Sequence, residues 1–422
     1  MSTAADDLRK RLERLGVQLG AGGLQVRQER GEPTSARPAP PRHRIEEWVA
    51  GVEVQTSEGA CFVSETRYPL EHLHGQVRVG SLLEHRPSAL RLLLGEDEDL
   101  EADFGGLAFL DTETTGLAGG TGTYAFLVGI GRFEDGEFVV RQYFMRDIPE
   151  EPAMLALVGR TLSECRGLVT FNGRAFDWPL LETRFAMNRQ PPPLTDPCHL
   201  DLLLPARRLW RRRLKSCALS SLEEHVLLVR RSSDDVPGWA IPGLYRDFLL
   251  WGRAEPLRQV FYHNAHDILS LATLAASLCA TLSEPLQALR HGEDLYSLAQ
   301  RREAAGDLAS ARELYEQCLR CQLGWEERRE AMHRLARLYR RLGRLEDAVT
   351  LWRELARGKD VEACIALAKY YEHTAHDLAR AHQLARRALA LLSEDPHPDR
   401  SRLADVKRRL RRLEEKSGRE RR

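Results

Sequence analysis

The stretch Leu107-Ala-Phe-Leu-Asp-Thr-Glu-Thr-Thr-Gly116 constrains this chain more than any other. Leu107 to Leu110 is a short apolar run and Gly116 opens a glycine-rich exit, so the pattern predicts a buried strand with a polar end. Asp111 and Glu113 stand two positions apart, and on a strand both carboxylates leave from the same face. Two carboxylates crowded at the end of an apolar strand repel each other and lose hydration. A divalent cation relieves both costs, and oxygen ligands of this kind suit magnesium or manganese. The competing reading is a solvated strand end running into a turn, and the rest of the chain must decide between them.

With 422 residues, 43% hydrophobic and 29% charged, the chain can bury a sizeable core. At roughly 150 residues per domain it is expected to form two or three domains. Its 62 basic and 62 acidic residues cancel, so affinity for nucleic acid has to come from local patches. Eight cysteines over this length do not suggest a disulfide scaffold. Neither a secretory signal nor an apolar run of membrane-spanning length is read, so a cytoplasmic setting with no membrane is expected. Cys318 and Cys321 form one Cys-x-x-Cys, but no second pair completes a zinc set and both fit a helix face.

Residues 4–20 read as a short charged helix, and residues 20–43 as a linker rich in Gly, Pro and Arg. Residues 44–103 form a mixed segment. It has strand-like alternation around Val52 and Phe62 and a helical turn at 88–94, and it is expected to pack on the residues C-terminal to it. Across 104–282 strands and helices interleave. Residues 123–131 and 138–144 read as strands joined by a Glu134-Asp-Gly-Glu137 hairpin, with a helix over 151–164 and a strand over 167–172 after them. A meander, then a helix and a further strand, predicts an α/β domain with a mixed sheet flanked by helices. Gly119-Gly-Thr-Gly122 lacks the Gly-Lys-Ser/Thr ending of a phosphate-binding loop and links strand to strand, so it reads as a tight turn.

The chain carries two more acidic elements and one basic run. In Asn172-Gly-Arg-Ala-Phe-Asp-Trp-Pro179, Asp177 lies just ahead of a predicted helix, where an ordinary N-cap and a site carboxylate are both open. Arg207, Arg208, Arg211, Arg212, Arg213 and Lys215 form a dense basic run around Trp210. It reads either as a solvated helix with snorkelling side chains or as a phosphate-tracking surface. His263 and Asp267 are four apart at the start of an apolar helix, so they share one face, while His266 is turned about 100° away.

Taken together, these elements resemble the DEDD 3′–5′ exonucleases of the ribonuclease-H-like (DnaQ-like) superfamily. The carrying motifs are Asp111-Thr-Glu-Thr114, Asn172 through Asp177, and an element ending in Asp267. More closely, Phe109 through Gly122, Asp235-Val-Pro-Gly-Trp-Ala-Ile-Pro242 and His263-Asn through Leu271 are similar to the YprB-type ribonuclease-H-like proteins. The resemblance implies phosphodiester hydrolysis with two divalent cations, Mg2+ or Mn2+, about 3.5–4 Å apart. Asp111, Glu113, Asp177 and Asp267 would hold the metals, with Asp111 bridging them, and His263 would act as general base. The spacing departs from the family, because His263 stands where tyrosine-type members carry Tyr and the histidine-type spacing lands on Tyr262. His263, His266 and Tyr262 therefore stay open as the base. Thr114, Asn172, Arg207, Arg208, Arg211, Arg212 and Lys215 are expected to contact DNA or RNA, with a single-stranded 3′ end as the expected substrate. Two alternatives remain: an endonuclease of the same fold, and a non-catalytic scaffold that only holds nucleic acid.

From residue 283 the chain turns charged, rich in Ala, Leu and Arg, and helical. Gly306-Asp-Leu-Ala-Ser-Ala-Arg-Glu-Leu-Tyr315 recurs as Gly343-Arg-Leu-Glu-Asp-Ala-Val-Thr-Leu-Trp352, with a looser copy from Asp377. A spacing of 37 residues resembles tetratricopeptide repeats, so residues 283–395 are expected to form an all-α array that recruits a protein partner. Residues 396–422 read as a basic helical tail.

Overall fold

The computed structural model describes residues 44–94, 102–116, 122–195, 197–394, 397 and 399–420. The expected N-terminal helix and linker (4–43) and most of the glycine turn (117–121) lie outside the described residues.

The strands are β1 (Val52–Thr56), β2 (Gly59–Pro69), the short pair β3 (Leu73–His74) and β4 (Val77–Arg78), β5 (Leu107–Thr114), β6 (Ala125–Glu134), β7 (Glu137–Phe144), β8 (Gly167–Thr170) and β9 (Cys198–Asp201). All but β3 and β4 join one seven-stranded sheet in the order β1-β2-β7-β6-β5-β8-β9. Its first five strands pair antiparallel, and β8 and β9 add in parallel beside β5. The carboxylate strand is thus central, with hydrogen-bonded neighbours on both edges. The segment 44–103 contributes β1 and β2 to this sheet, so it is part of the α/β domain's architecture rather than a separate layer.

Helices α1 (Glu151–Ser163), α2 (Asp177–Met187), α3 (Leu203–Trp210), α4 (Ile241–Trp251) and α5 (Leu257–Ser283) surround the sheet. The pleat of β5 explains how both faces are covered. Ala108 and Leu110 enter a core with Leu155 of α1, Leu181 of α2 and Tyr245 of α4. Leu107 and Phe109 enter the opposite core with Ile268 and Leu271 of α5. Strand β5 ends in polar residues at the point where these two cores stop. One expectation is corrected: α5 is an apolar run long enough to cross a bilayer. Most of its apolar window is buried inside the protein, so it is the core helix of the α/β domain.

The remaining helices are α6 (Gly292–Ala304), α7 (Leu308–Arg320), α8 (Trp325–Arg341), α9 (Leu345–Arg357), α10 (Val361–His373), α11 (Leu378–Glu394) and α12 (Arg400–Glu420). They stack as helix pairs. Gly306 and Gly343 take φ values of +83° and +75° at the turns within the first two pairs, a region glycine enters without strain. His376 adopts φ +52° at the matching position of the third pair, where the sequence has no glycine. Ala311, Ala348 and Ala381 are fully buried where the helices cross. Cys318 is buried with its Sγ 3.3 Å from the Gly292 carbonyl, a packing role. Helix α12 closes the array, burying Val406, Leu410 and Leu413. One hydrophobic core runs without a break from Val79 beside the sheet to Leu413, so the helical array is fused to the α/β domain.

Candidate nuclease site

Strand β5, the start of α2 and the first turns of α5 bring Asp111, Glu113, Asp177 and Asp267 together. Period-two alternation puts Asp111 and Glu113 on the α5 side of the sheet and Thr112 on the α2 side. The Thr112 hydroxyl donates to Asp177 Oδ1 at 2.5 Å. Asp177 is the first residue of α2 and no side chain caps that end, so its carboxylate is turned to the strand rather than to the helix.

A line of three residues across the sheet fixes Asp111. Asp111 pairs with Gly129 on β6, and Gly129 pairs with Gln142 on β7. Asn264 of α5 lies over the glycine. Its Nδ2 donates to Asp111 Oδ2 at 2.8 Å, and its Oδ1 accepts from Gln142 Nε2 at 2.9 Å. A Cβ on Gly129 would stand 2.2 Å from Asn264 Oδ1, so only glycine leaves room for this bridge.

Asp267 Oδ1 is bonded by Nη2 of Arg231, and its Oδ2 is 3.7 Å from His263 Nε2. His263 Nδ1 stands 2.8 Å from Asp235 Oδ1 and 3.0 Å from Arg231 Nη1. When Nδ1–H donates to Asp235, the Nε2 lone pair is free to take a proton. Of the three candidate bases, His263 is the one in contact with Asp267. The Tyr262 and His266 rings pack against each other at a tilt of 40°, with His266 also against His74, and the Tyr262 hydroxyl accepts from the Ser232 amide.

The substrate-contact candidates separate into two groups. Phe171, Asn172, Arg207, Arg211 and Lys215 line one cleft of about 820 Å³. Asn172 takes φ +66° and its backbone N–H donates to Asp201 Oδ1, which shapes the loop ahead of α2. Arg208 instead donates to the Leu93 carbonyl, and Arg212 covers the Tyr296 ring at 4.7 Å, both structural uses. Arg213 pairs with Asp294 of α6 at 2.8 Å. The basic run breaks into these groups because α3 ends at Trp210 and the chain turns. The Thr114 hydroxyl donates to the Gly116 carbonyl at 3.0 Å, at a bulge where β5 leaves the register of β6.

The chain matches the RNase H superfamily over residues 108–279. It is 34% identical over 365 residues to the protein named "Uncharacterized protein YprB" of Bacillus subtilis (strain 168), covering 83% of this chain and 86% of that one. The chain belongs to the YprB family of the RNase H superfamily. This membership supports a nucleic-acid hydrolase, with nucleic acid as the substrate class. The family match begins at Ala108, in the strand that carries Asp111, and ends in α5 beyond Asp267.

The electrostatics are those of a site short of positive charge. Burial raises the Asp111 carboxyl well above its usual range, and the charges of Asp267, Glu113 and Asp177 push the same way. Burial likewise raises Glu113, reinforced by Asp267 and Asp177. Asp177 is raised by burial against the Thr112 hydrogen bond, and Asp267 by burial against the pull of Arg231 and His263. Among the described residues Glu113 has no hydrogen-bond partner for its carboxylate. A hard divalent cation fits this donor set, since all-oxygen carboxylate ligands are what Mg2+ and Mn2+ take. Among the described residues no three such side chains already enclose one point. Asn264, Thr112 and Arg231 each draw one carboxylate to a neighbour.

Motif spacing brought forward the four carboxylates and His263. It missed Arg231, Glu223, Asn264 and Gly129, and left Asp235 inside a motif without a role. Asn264 and Gly129 carried a weak signal: an amide beside His263 on an otherwise apolar helix, and a glycine inside an apolar strand. Arg231 carried none.

Proposed function

We propose that this protein is a divalent-cation-dependent nuclease that removes nucleotides from the 3′ end of single-stranded DNA or RNA. The observation that carries this reading is the gathering of four half-buried carboxylates with raised pKa values at the end of a central strand. One of them, Glu113, is unpartnered among the described residues. Asp111, Glu113, Asp177 and Asp267 would hold two Mg2+ or Mn2+ ions. Such ions, when bound, supply Lewis-acid activation of water and charge neutralisation at the phosphate. His263 takes the proton from the attacking water at Nε2, with Asp235 holding its other nitrogen. Arg207, Arg211 and Lys215 hold the phosphate backbone in the adjoining cleft, and Phe171 and Asn172 line the side toward β8. The helical array recruits a protein partner, and eight free thiols suit a reducing cytoplasm.

The test is degradation of end-labelled single-stranded DNA and RNA with Mg2+ or Mn2+, beside an Asp111→Asn/Glu113→Gln variant and a circular substrate. A ladder from the 3′ end that the double variant loses, with circles intact, supports the exonuclease. Cleaved circles replace it with an endonuclease. No cleavage above the variant's background leaves a nucleic-acid-binding scaffold.

A further inference from the structure

Helix α6 opens the helical array, and it packs along α3 and the basic run. Leu209 and Trp210 share one core with Leu295 and Leu298, which sets the two elements against each other. Three arginines of the run are answered at this contact or beside it. Arg213 Nε donates to Asp294 Oδ2 at 2.8 Å, and that carboxylate is almost wholly buried. Arg212 covers the Tyr296 ring at 4.7 Å, and Arg208 donates to the Leu93 carbonyl. Arg301 stands seven residues beyond Asp294, two helical turns or about 10 Å along the same face of α6.

At Arg301 the match of charges is reversed. Asp294 meets a guanidinium with a carboxylate, whereas Arg301 meets two guanidinium groups with a third. Partial burial, and then the charges of Arg208 and Arg211, hold Arg301 below the ordinary arginine range. Among the described residues none of Arg207, Arg211, Lys215 and Arg301 is in an ion pair, and all four are exposed. Like charges held side by side repel, and an anion that settles on them removes the repulsion and adds its own attraction. Arg211 lines the cleft of about 820 Å³, and Arg301 is its neighbour on the array. The positive surface of the cleft therefore continues from the α/β domain onto α6. Each guanidinium offers a fork of donors that matches phosphate oxygens. Continuity with the cleft selects a nucleic-acid strand over an acidic peptide, because the strand held in that cleft already passes Arg211.

We propose that Arg301 takes the backbone phosphate next to the one at Arg211, so that the helical array carries part of the single-stranded substrate. This rests on the protein being a nuclease whose basic cleft holds the strand.

The test is fluorescence anisotropy of the full chain with single-stranded DNA and RNA over a range of salt concentrations. Chelator is present, so that binding is read without cleavage. The variants are Arg301→Gln, Arg211→Gln, the two combined, and Arg386→Gln on the exposed side of α11 as control. Arg301→Gln should lower the slope of log affinity against log salt by about 0.7, and so weaken binding about fivefold at about 0.1 M salt. Arg211→Gln should do the same, and the double variant should lower the slope by about 1.4. Arg386→Gln should leave it unchanged. With Mg2+ restored, Arg301→Gln should raise KM about fivefold at the same salt and leave kcat alone. Its urea transition should come no earlier than that of wild type, since a like charge has been removed.

An unchanged slope in Arg301→Gln beside a lowered one in Arg211→Gln overturns the proposal and confines the strand to the α/β domain, with the nuclease reading intact. An equal fall in Arg386→Gln overturns it as an effect of overall charge. Weaker binding at an unchanged slope, with an earlier urea transition, makes Arg301 a structural residue and also overturns it. A wild type that neither binds nor cleaves a single strand overturns the nuclease itself and the proposal with it.

Discussion

Gly129→Ala tests the bridge that fixes Asp111 without touching any charged group. The added methyl would lie 2.2 Å from Asn264 Oδ1, 2.8 Å from its Cγ and 2.9 Å from its Nδ2. Contacts of this kind relax only when the amide backs away by about 1 Å, and overpacking of a tight core costs about 1–3 kcal/mol. The same shift stretches the 2.8 Å bond to Asp111 and the 2.9 Å bond from Gln142. A buried polar group left unpaired costs a further ~1–3 kcal/mol. The total expected loss is about 2–5 kcal/mol of unfolding free energy. A misplacement of about 1 Å at the reacting centre also lowers turnover by roughly 100-fold. Gly131→Ala is the control, two residues along the same strand. Its methyl would meet Ile268 Cγ2 at 2.5 Å and Phe138 Cζ at 2.6 Å, an equally tight but apolar contact. Both variants should lose stability in urea unfolding, and only Gly129→Ala should lose activity per folded molecule. A Gly129→Ala protein that cleaves like wild type refutes the bridge. Equal loss of activity in Gly131→Ala, measured well below its unfolding transition, refutes its specificity.

Three further outcomes are expected. Burial raises Glu372, but hydrogen bonds from Arg412 and Lys416 outweigh it and bring the carboxyl from 4.5 to about 2. A lowered folded-state pKa stabilises above the unfolded value, so this contribution is present above pH 4.5 and lost as pH falls through about 2. Glu372→Gln should cost up to about 3 kcal/mol in denaturant unfolding at neutral pH, less what solvent around Lys416 screens, and a gap that does not shrink below pH 4.5 refutes it. Neutralising Arg207, Arg211 and Lys215 together should reduce the slope of log affinity against log salt by about 2 for a single strand. Arg212→Gln, on the Tyr296 ring, should leave that slope alone, and an unchanged slope in the triple variant rules the cleft out. Glu113→Gln should make the metal-free protein more stable than wild type at neutral pH, because a carboxyl with a raised folded-state pKa is stabilising only while protonated. That advantage should close toward acid, and its absence in thermal melts with chelator would show that Glu113 is not under strain.

Much of the architecture was readable because it depends on local pattern. The apolar run into Asp111 predicted a buried strand, the Asp-Gly turn predicted the β6–β7 hairpin, and the recurrence at Gly306 and Gly343 predicted the helix pairs. Residues 44–69 were harder, since β2 finds its partner β7 only after 67 intervening residues, and no local spacing announces such a pairing. The carboxylates were legible because each sits in a spaced motif. The basic run was only half legible: periodicity could count its charges, but where α3 stops decided which ones reach the cleft. Arg231 was illegible for the same kind of reason. A loop arginine acquires its meaning from Glu223 and Asp267, eight residues behind it and thirty-six ahead.

The site is best understood as an acidic cluster held in shape by fixed donors of unequal charge. Asn264 offers Asp111 an amide dipole, Thr112 offers Asp177 a hydroxyl, and Arg231 offers Asp267 a full positive charge. Each donor orients a carboxylate, and the last also carries a charge, which Asp267 shares with Glu223 and Asp235. Of the four carboxylates Glu113 has no local donor among the described residues. A cation entering this cluster gains most where the protein has compensated least, which is at Glu113. The difference arises from which strand and loop supply each donor. Gly129 makes room for the neutral one, and the Glu223–Ser270–His74 chain anchors the charged one. An unmet demand for positive charge and precise placement of the carboxylates are then two consequences of one arrangement.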